Sequence, residues 1–209
     1  MTGRGGGRCC RSSWSGWASD VRILGLIVNL ALRAGLVAML RRVQRAGPDD
    51  HRFVDKGIGP RAGVLVPAAS VTIPILWLRD RRGGYPFWMD NLFLSIVALD
   101  LAGNVFDWYD RYTHFDLIPH AHGTGALTVL VAWGLHLPTL SAVGVATVGH
   151  VLLEAQEWAS DEFYGFRNVR GTWDVIGDLT SGVVGTVAYA VPYLWLVRKA
   201  GREPEALVG

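Results

Sequence analysis

His150, Glu154, Glu157 and Asp161 recur at i, i+4, i+7 and i+11 within Gly149-His-Val-Leu-Leu-Glu-Ala-Gln-Glu-Trp-Ala-Ser-Asp161. On a helix turning about 100° per residue they share a sector of roughly 60° and rise through about 16 Å. Imidazole and carboxylate groups on one stripe can exchange protons or ligate a divalent cation. The residues before them, Thr139 to Val148, carry no charge, so the stripe stands at the end of an apolar helix. An ionisable side chain inside a membrane span costs about 2.5–3.5 kcal/mol on insertion scales. Four on one face need a common cause. The stripe is either a site, or a face turned to water and polar neighbours with Asp161 and Glu157 among the headgroups.

The elements that must position these groups follow from composition. The chain has 209 residues, is 50% hydrophobic and only 18% charged, whereas soluble domains carry about 25% charged residues. Apolar stretches long enough to cross a bilayer recur along it. A net charge of +2 with no basic patch argues against a nucleic-acid partner. The two cysteines, Cys9 and Cys10, are adjacent in a tail and cannot staple a fold. The pattern predicts an all-α membrane protein: a disordered Gly/Arg/Ser tail at 1–20, a six-helix transmembrane bundle over 21–199, and a short tail at 200–209. The expected spans are about 22–40, 62–78, 87–107, 117–137, 139–159 and 174–197. Arg33 interrupts the first apolar run and Arg41-Arg42 follow it, so a retained helix is expected rather than a cleaved signal. Asn29 and Arg33 share a face that should point into the bundle, or Arg33 snorkels to the nearer interface. Pro67 and Pro74 predict kinks in the second span. Gly123 and Gly125, with Gly182 and Gly185, offer small surfaces for close helix packing.

Six alternating spans place the ends of the third and fifth, and the starts of the fourth and sixth, on one side. That gathers Asp100, Asp107, Asp110, His114, His120, His122, His150, Glu154, Glu157, Asp174 and Asp178 into one leaflet. Clustered carboxylates repel unless cations or protons compensate them. Histidine nitrogen with carboxylate oxygen suits zinc, manganese or iron, and a carboxylate-rich subset suits magnesium. Candidate ligands of a divalent metal are His114, His120, His150, Glu154, Glu157 and Asp178. A hydrogen-bonded polar core and a set of proton-relay carboxylates are the alternatives. Lys and Arg divide almost evenly between the two sides, which leaves the orientation open.

Three blocks, Tyr109-Asp110-Arg-Tyr-Thr-His114-Phe115, Glu154-Ala-Gln-Glu157-Trp158 and Thr172-Trp-Asp174-Val-Ile-Gly-Asp178 followed by Gly182 and Gly185, occur in that order. In this the chain resembles the VanZ-like membrane proteins and their YjdF-like relatives over roughly residues 100–190. The resemblance implies a small multi-pass protein of the bacterial inner membrane. One VanZ member is associated with glycopeptide-antibiotic resistance, which points to envelope chemistry. The chain departs from the shared blocks by adding His120, His122 and His150, which equips it further for metal.

The expected function is an enzyme acting on a lipid-linked or envelope-precursor headgroup at the membrane surface. Asp110, His114, Glu154, Asp174 and Asp178 are the candidate catalytic residues, with Arg111 and Arg170 receiving an anionic headgroup. A proton- or ion-coupled permease, and a structural protein with a polar packing core, are the competing readings.

Overall fold

The computed structural model describes residues 12–47, 49–80 and 83–199, and every regular element in them is helical. In chain order these are α1 (Ser12–Arg45), α2 (Ile58–Asp80), α3 (Phe87–Val105), α4 (Trp108–Arg111), α5 (Leu117–Gly134), α6 (Thr139–Tyr164) and α7 (Thr172–Lys199). Each expected span therefore corresponds to one long helix, and the third connection adds the single turn α4. Three helices are apolar and long enough to cross a membrane by length and composition, over Asp20–Arg45, Ile58–Arg79 and Thr172–Lys199. Residues 1–11 and 200–209 of the expected tails lie outside the described residues. From Ser12 the backbone is already helical, so residues 12–20, expected to belong to a disordered tail, form the first turns of α1.

Local chemistry sets the ends. Pro86 and Pro138 immediately precede α3 and α6. At the end of α6, Gly165 takes the left-handed conformation (φ 69°) and its N–H bonds the Asp161 carbonyl, which closes the last turn. Inside α2, Pro74 has no N–H to offer the carbonyl of Ser70. That carbonyl instead accepts a 2.8 Å hydrogen bond from Arg33 Nη1.

The helices form two differently built halves. α1, α2 and α3 enclose an apolar core that includes Leu36, Val66, Ala69, Leu94, Val97 and Leu101. The other half turns on the pairing of α5 with α7, the most extensive helix contact in the chain, with α6 alongside both. There the backbones themselves touch. A Cβ built on Gly125 would stand 2.5 Å from the Gly185 carbonyl oxygen, and one on Gly185 would run into the Ala121 carbonyl. Gly123 has looser surroundings, its nearest neighbour being Ile96 at 3.6 Å. Large apolar side chains face outward along the long helices, among them Ile27, Leu30, Val64, Ile75, Leu140, Leu152 and Val187. Continuous apolar exposure of this kind suits a hydrocarbon solvent rather than water.

A second buried network lies at the opposite end of α3 from α4. Arg33 Nη2 donates to Asp90 Oδ2 at 2.6 Å, Asn29 Nδ2 donates to the same oxygen at 2.8 Å, and Tyr85 donates to it at 2.5 Å. Asn29 also donates to Asn91 Oδ1, whose amide bonds the Gly25 carbonyl. Asn29 and Arg33 thus face into the bundle. Arg33 does not snorkel, because Asp90, wholly buried in the first turn of α3, supplies its counter-charge.

Candidate functional site

The site is assembled by α5, α6 and α7, with α2 and α3 supplying an outer layer. His150 and Glu154 are successive members of the polar stripe on α6, and both are buried. His120 stands just inside α5, where its ring reaches α6, and Asp178 projects from the start of α7. Glycine makes room for this convergence: a Cβ on Gly182 would collide with the His150 ring and come within 3.0 Å of Thr124 Oγ1.

Around the two imidazoles the distances are short. His120 Nδ1 lies 2.9 Å from His150 Nε2, and each of these nitrogens is 3.3 Å from Glu154 Oε1. On its other edge, His120 Nε2 is 3.4 Å from Asp116 Oδ1 and 3.9 Å from Asp178 Oδ1. His120, His150 and Glu154 each offer a ligand atom, all within 4.8 Å of one another; Asp116, His120 and Asp178 do the same. Within this cluster two carboxylate oxygens, Glu154 Oε1 and Asp178 Oδ1, are buried yet accept no hydrogen bond; Asp90 Oδ1 and Asp107 Oδ1 share that condition elsewhere. A buried anionic oxygen left without a donor is costly unless a cation or proton meets it.

The outer layer holds one cation among three anionic or polar partners. Arg61, from the first turns of α2, donates to Glu157 Oε1 at 3.1 Å and stands 3.6 Å from Asp100 Oδ1. Tyr109 donates to the same Asp100 oxygen at 2.9 Å, and its ring packs over Gly103, where a side chain would collide with it. Burial first, and the Asp100 carboxylate second, hold the Tyr109 phenol well above its usual pKa, so it remains a donor. A cavity of about 610 Å³ opens beside these layers, between α2, α3, α5 and α6, and His120, His150, Asp116, Arg61 and Glu157 all line it.

Of the residues expected at the site, His120, His150, Glu154 and Asp178 come together, with Glu157 one layer outward on Arg61. His114 does not join them: it is exposed in the connection before α5, and His120, in the first turn of that helix, occupies the central place. Asp110 is also exposed and pairs with Lys56 Nζ at 2.7 Å. Asp174 accepts the Arg170 backbone N–H at 2.9 Å and so shapes the start of α7. Arg170 lines the cavity, but Arg111 lies outside its lining and bonds Asp107 at 3.1 Å. Asp161, the last member of the α6 stripe, accepts hydrogen bonds from the backbone of Asn168 and Val169 and ties down the following loop. His122 leaves the cluster as well. Its ring nitrogens meet Ser95 Oγ at 2.9 Å and Tyr189 OH at 2.6 Å, linking α3, α5 and α7.

Sequence reasoning missed Asp116, Arg61 and Asp90. Asp116 carried a signal, since it precedes His120 by four residues across the start of α5. Arg61 and Asp90 each sit in the first turns of an apolar helix, where a lone charge calls for a partner. No family model matches this chain, and no curated protein or solved structure does so. Fold and site together define an all-helical protein with three helices apolar enough to cross a membrane and a buried His/carboxylate centre beside a cavity.

Proposed function

We propose that the chain is a six-span, multi-pass protein of the bacterial cell membrane, VanZ-like in its motif blocks, whose buried centre binds a divalent metal. With that metal it acts as an enzyme on a lipid-linked or envelope headgroup. The observation that carries this reading is the pair of buried, undonated oxygens, Glu154 Oε1 and Asp178 Oδ1, set around His120 and His150. Two imidazole nitrogens and a carboxylate oxygen leave further coordination positions open, as catalytic rather than closed structural sites do. His120 Nδ1, His150 Nε2 and Glu154 Oε1 are the ligand atoms. Asp116, 3.4 Å from His120 Nε2, then takes the N–H of the opposite ring edge and fixes the tautomer that presents Nδ1. Asp178 faces the same edge and is placed to hold a proton. A bound metal supplies Lewis acidity and lowers the pKa of water. The residues around it exclude bulk water and balance charge.

The outward apolar surface of α1, α2, α6 and α7 supports the membrane setting. The six-span arrangement is supported by one long helix for each expected span, with most of the buried polar groups in α3, α5 and α6 and Asp178 joining them from α7. Reporter fusions at Gly84 and Pro138 should agree with each other and oppose one at Asp161. For the centre, detergent-purified protein analysed by inductively coupled plasma mass spectrometry should carry a transition metal near one per chain, lost in His150→Ala. Wild-type protein that stays metal-free after incubation with zinc, manganese or iron at neutral pH refutes the metal centre.

A further inference from the structure

The cavity beside the centre has two chemically different ends, and they fall in a fixed order along the helices. At the connection end stand Lys56, Arg61, Arg167 and Arg170; toward the middle of the bundle the lining becomes Val64, Leu65, Ala68, Leu127, Ala146 and Leu153. From Glu157 back to Ala146 the α6 wall runs about 16 Å, and from Arg61 to Ala68 the α2 wall runs about 10 Å. The order is therefore a cationic rim, then a level at which the His/carboxylate centre shares the depth with Val64, Leu65 and Leu153, then the apolar end of the trough at Ala68, Leu127 and Ala146.

The cavity is tied at its polar end and bounded by separate helix pairs at its side. Asp55 O accepts the Arg167 N–H at 2.7 Å, and the Phe166 ring covers Gly57, so the connections before α2 and after α6 meet over the rim. Gly57 has φ 61°, and a Cβ there would lie 2.6 Å from Phe166. At the side, α2 packs on α1 and α3 while α6 packs on α5 and α7. The trough runs between α2 and α6, and Leu65 and Leu153, one on each wall, are 38% and 36% exposed. Among the rim cations, Lys56 is engaged by Asp110 and Arg61 by Glu157. The Arg170 guanidinium donates to the Tyr109 carbonyl and, among the described residues, has no carboxylate partner.

We infer that this cavity binds a long-chain alkyl phosphate of the bilayer, which slides in laterally between α2 and α6. The chain lies along Val64, Leu65, Ala146 and Leu153, and the phosphate meets Arg170 at the rim. This deepens the headgroup reading above and rests on it for the chemistry that follows binding. A trough of this polarity gives a phosphate without a chain too little to bury, and a chain without a phosphate leaves Arg170 without an anion.

The test uses full-length protein in a neutral detergent, with hexadecyl phosphate, hexadecanol and inorganic phosphate as separate probes, read by isothermal calorimetry. Hexadecyl phosphate should bind at least about tenfold more tightly than either half-molecule. Arg170→Gln should weaken it by about tenfold and leave hexadecanol unchanged, with partial recovery in Arg170→Lys. Leu153→Trp should weaken hexadecyl phosphate and hexadecanol alike by filling the trough. Val64→Trp, at a more exposed position of the same trough, stands in if the first variant does not fold. Equal binding of inorganic phosphate and hexadecyl phosphate overturns the inference, as does unchanged binding in the tryptophan variants. Metal analysis on the same samples separates the two readings. A metal-loaded protein that ignores hexadecyl phosphate retains the centre and loses the trough; a metal-free protein that binds it with the expected pattern does the reverse.

Discussion

Replacing Glu154 by Gln keeps the side-chain volume and removes one charge from the middle of the centre. Glu154 is 6% exposed, its Oε1 accepts no hydrogen bond, and two imidazole nitrogens stand 3.3 Å away. In the metal-free protein Glu154 Oε1 is buried without a donor, an arrangement that costs about 1–3 kcal/mol, so a neutral amide that can donate in its place should be stabilising by a similar amount. The new amide can donate to the unprotonated nitrogen of His120 or His150. For a chain of this length each kcal/mol moves the unfolding midpoint by about 2–4 °C, so the metal-free variant should melt several degrees above metal-free wild type. Metal binding should move the other way, because the amide oxygen carries no charge to offset the cation. Saturating metal should therefore raise the wild-type midpoint strongly and the Gln variant's little. Thermal unfolding in detergent, with chelator and with added zinc, reads both arms. If the variant melts below wild type in chelator and both proteins ignore zinc, the cluster is a structural hydrogen-bond network, with each mispaired amide costing about 1–3 kcal/mol, and the site reasoning fails.

Three other outcomes follow from the packing. Gly185→Ala puts a methyl group into the Ala121 carbonyl, backbone against backbone. It should cost about 1–3 kcal/mol or more by prising α5 from α7, seen as a lowered midpoint, whereas Gly144→Ala, with open space around it, should be neutral or stabilising. Arg33→Met leaves the fully buried Asp90 without its cation and should cost about 3–5 kcal/mol, and Arg33→Met with Asp90→Leu should recover most of that loss in the same melt. At the connection before α2, hydrogen bonding from Arg52 holds the Asp50 carboxyl down at about 2, from an ordinary value of 3.8. The folded state therefore binds fewer protons there than the unfolded one. The contribution is complete above about pH 4 and is lost as pH falls toward 2. The midpoint difference between wild type and Asp50→Asn should accordingly be constant from pH 7 to 5 and shrink below pH 4. A difference that grows on acidification contradicts this.

The helices themselves were legible in the residues, because apolar run length and the 3.6-residue repeat are local properties. The same repeat placed His150, Glu154 and Glu157 on one face of α6, and the spacing of Gly182 and Gly185 foretold a close contact on α7. Only the tertiary structure decided which of the many acids and histidines near the helix ends turn inward. Within 106–120 the chain leaves the helix, passes through Asp107 in the left-handed region at φ 64°, makes the single turn α4, and re-enters a helix at Leu117. No repeat carries across such a break, so Asp110 and His114 end exposed while Asp116 and His120 reach the centre. The pairing of Arg33 with Asp90 and with the Ser70 carbonyl released by Pro74 likewise depends on three helices meeting. A buried charge announces that it needs a partner; which partner it finds is a matter of distance between segments, and that distance exists only in the folded chain.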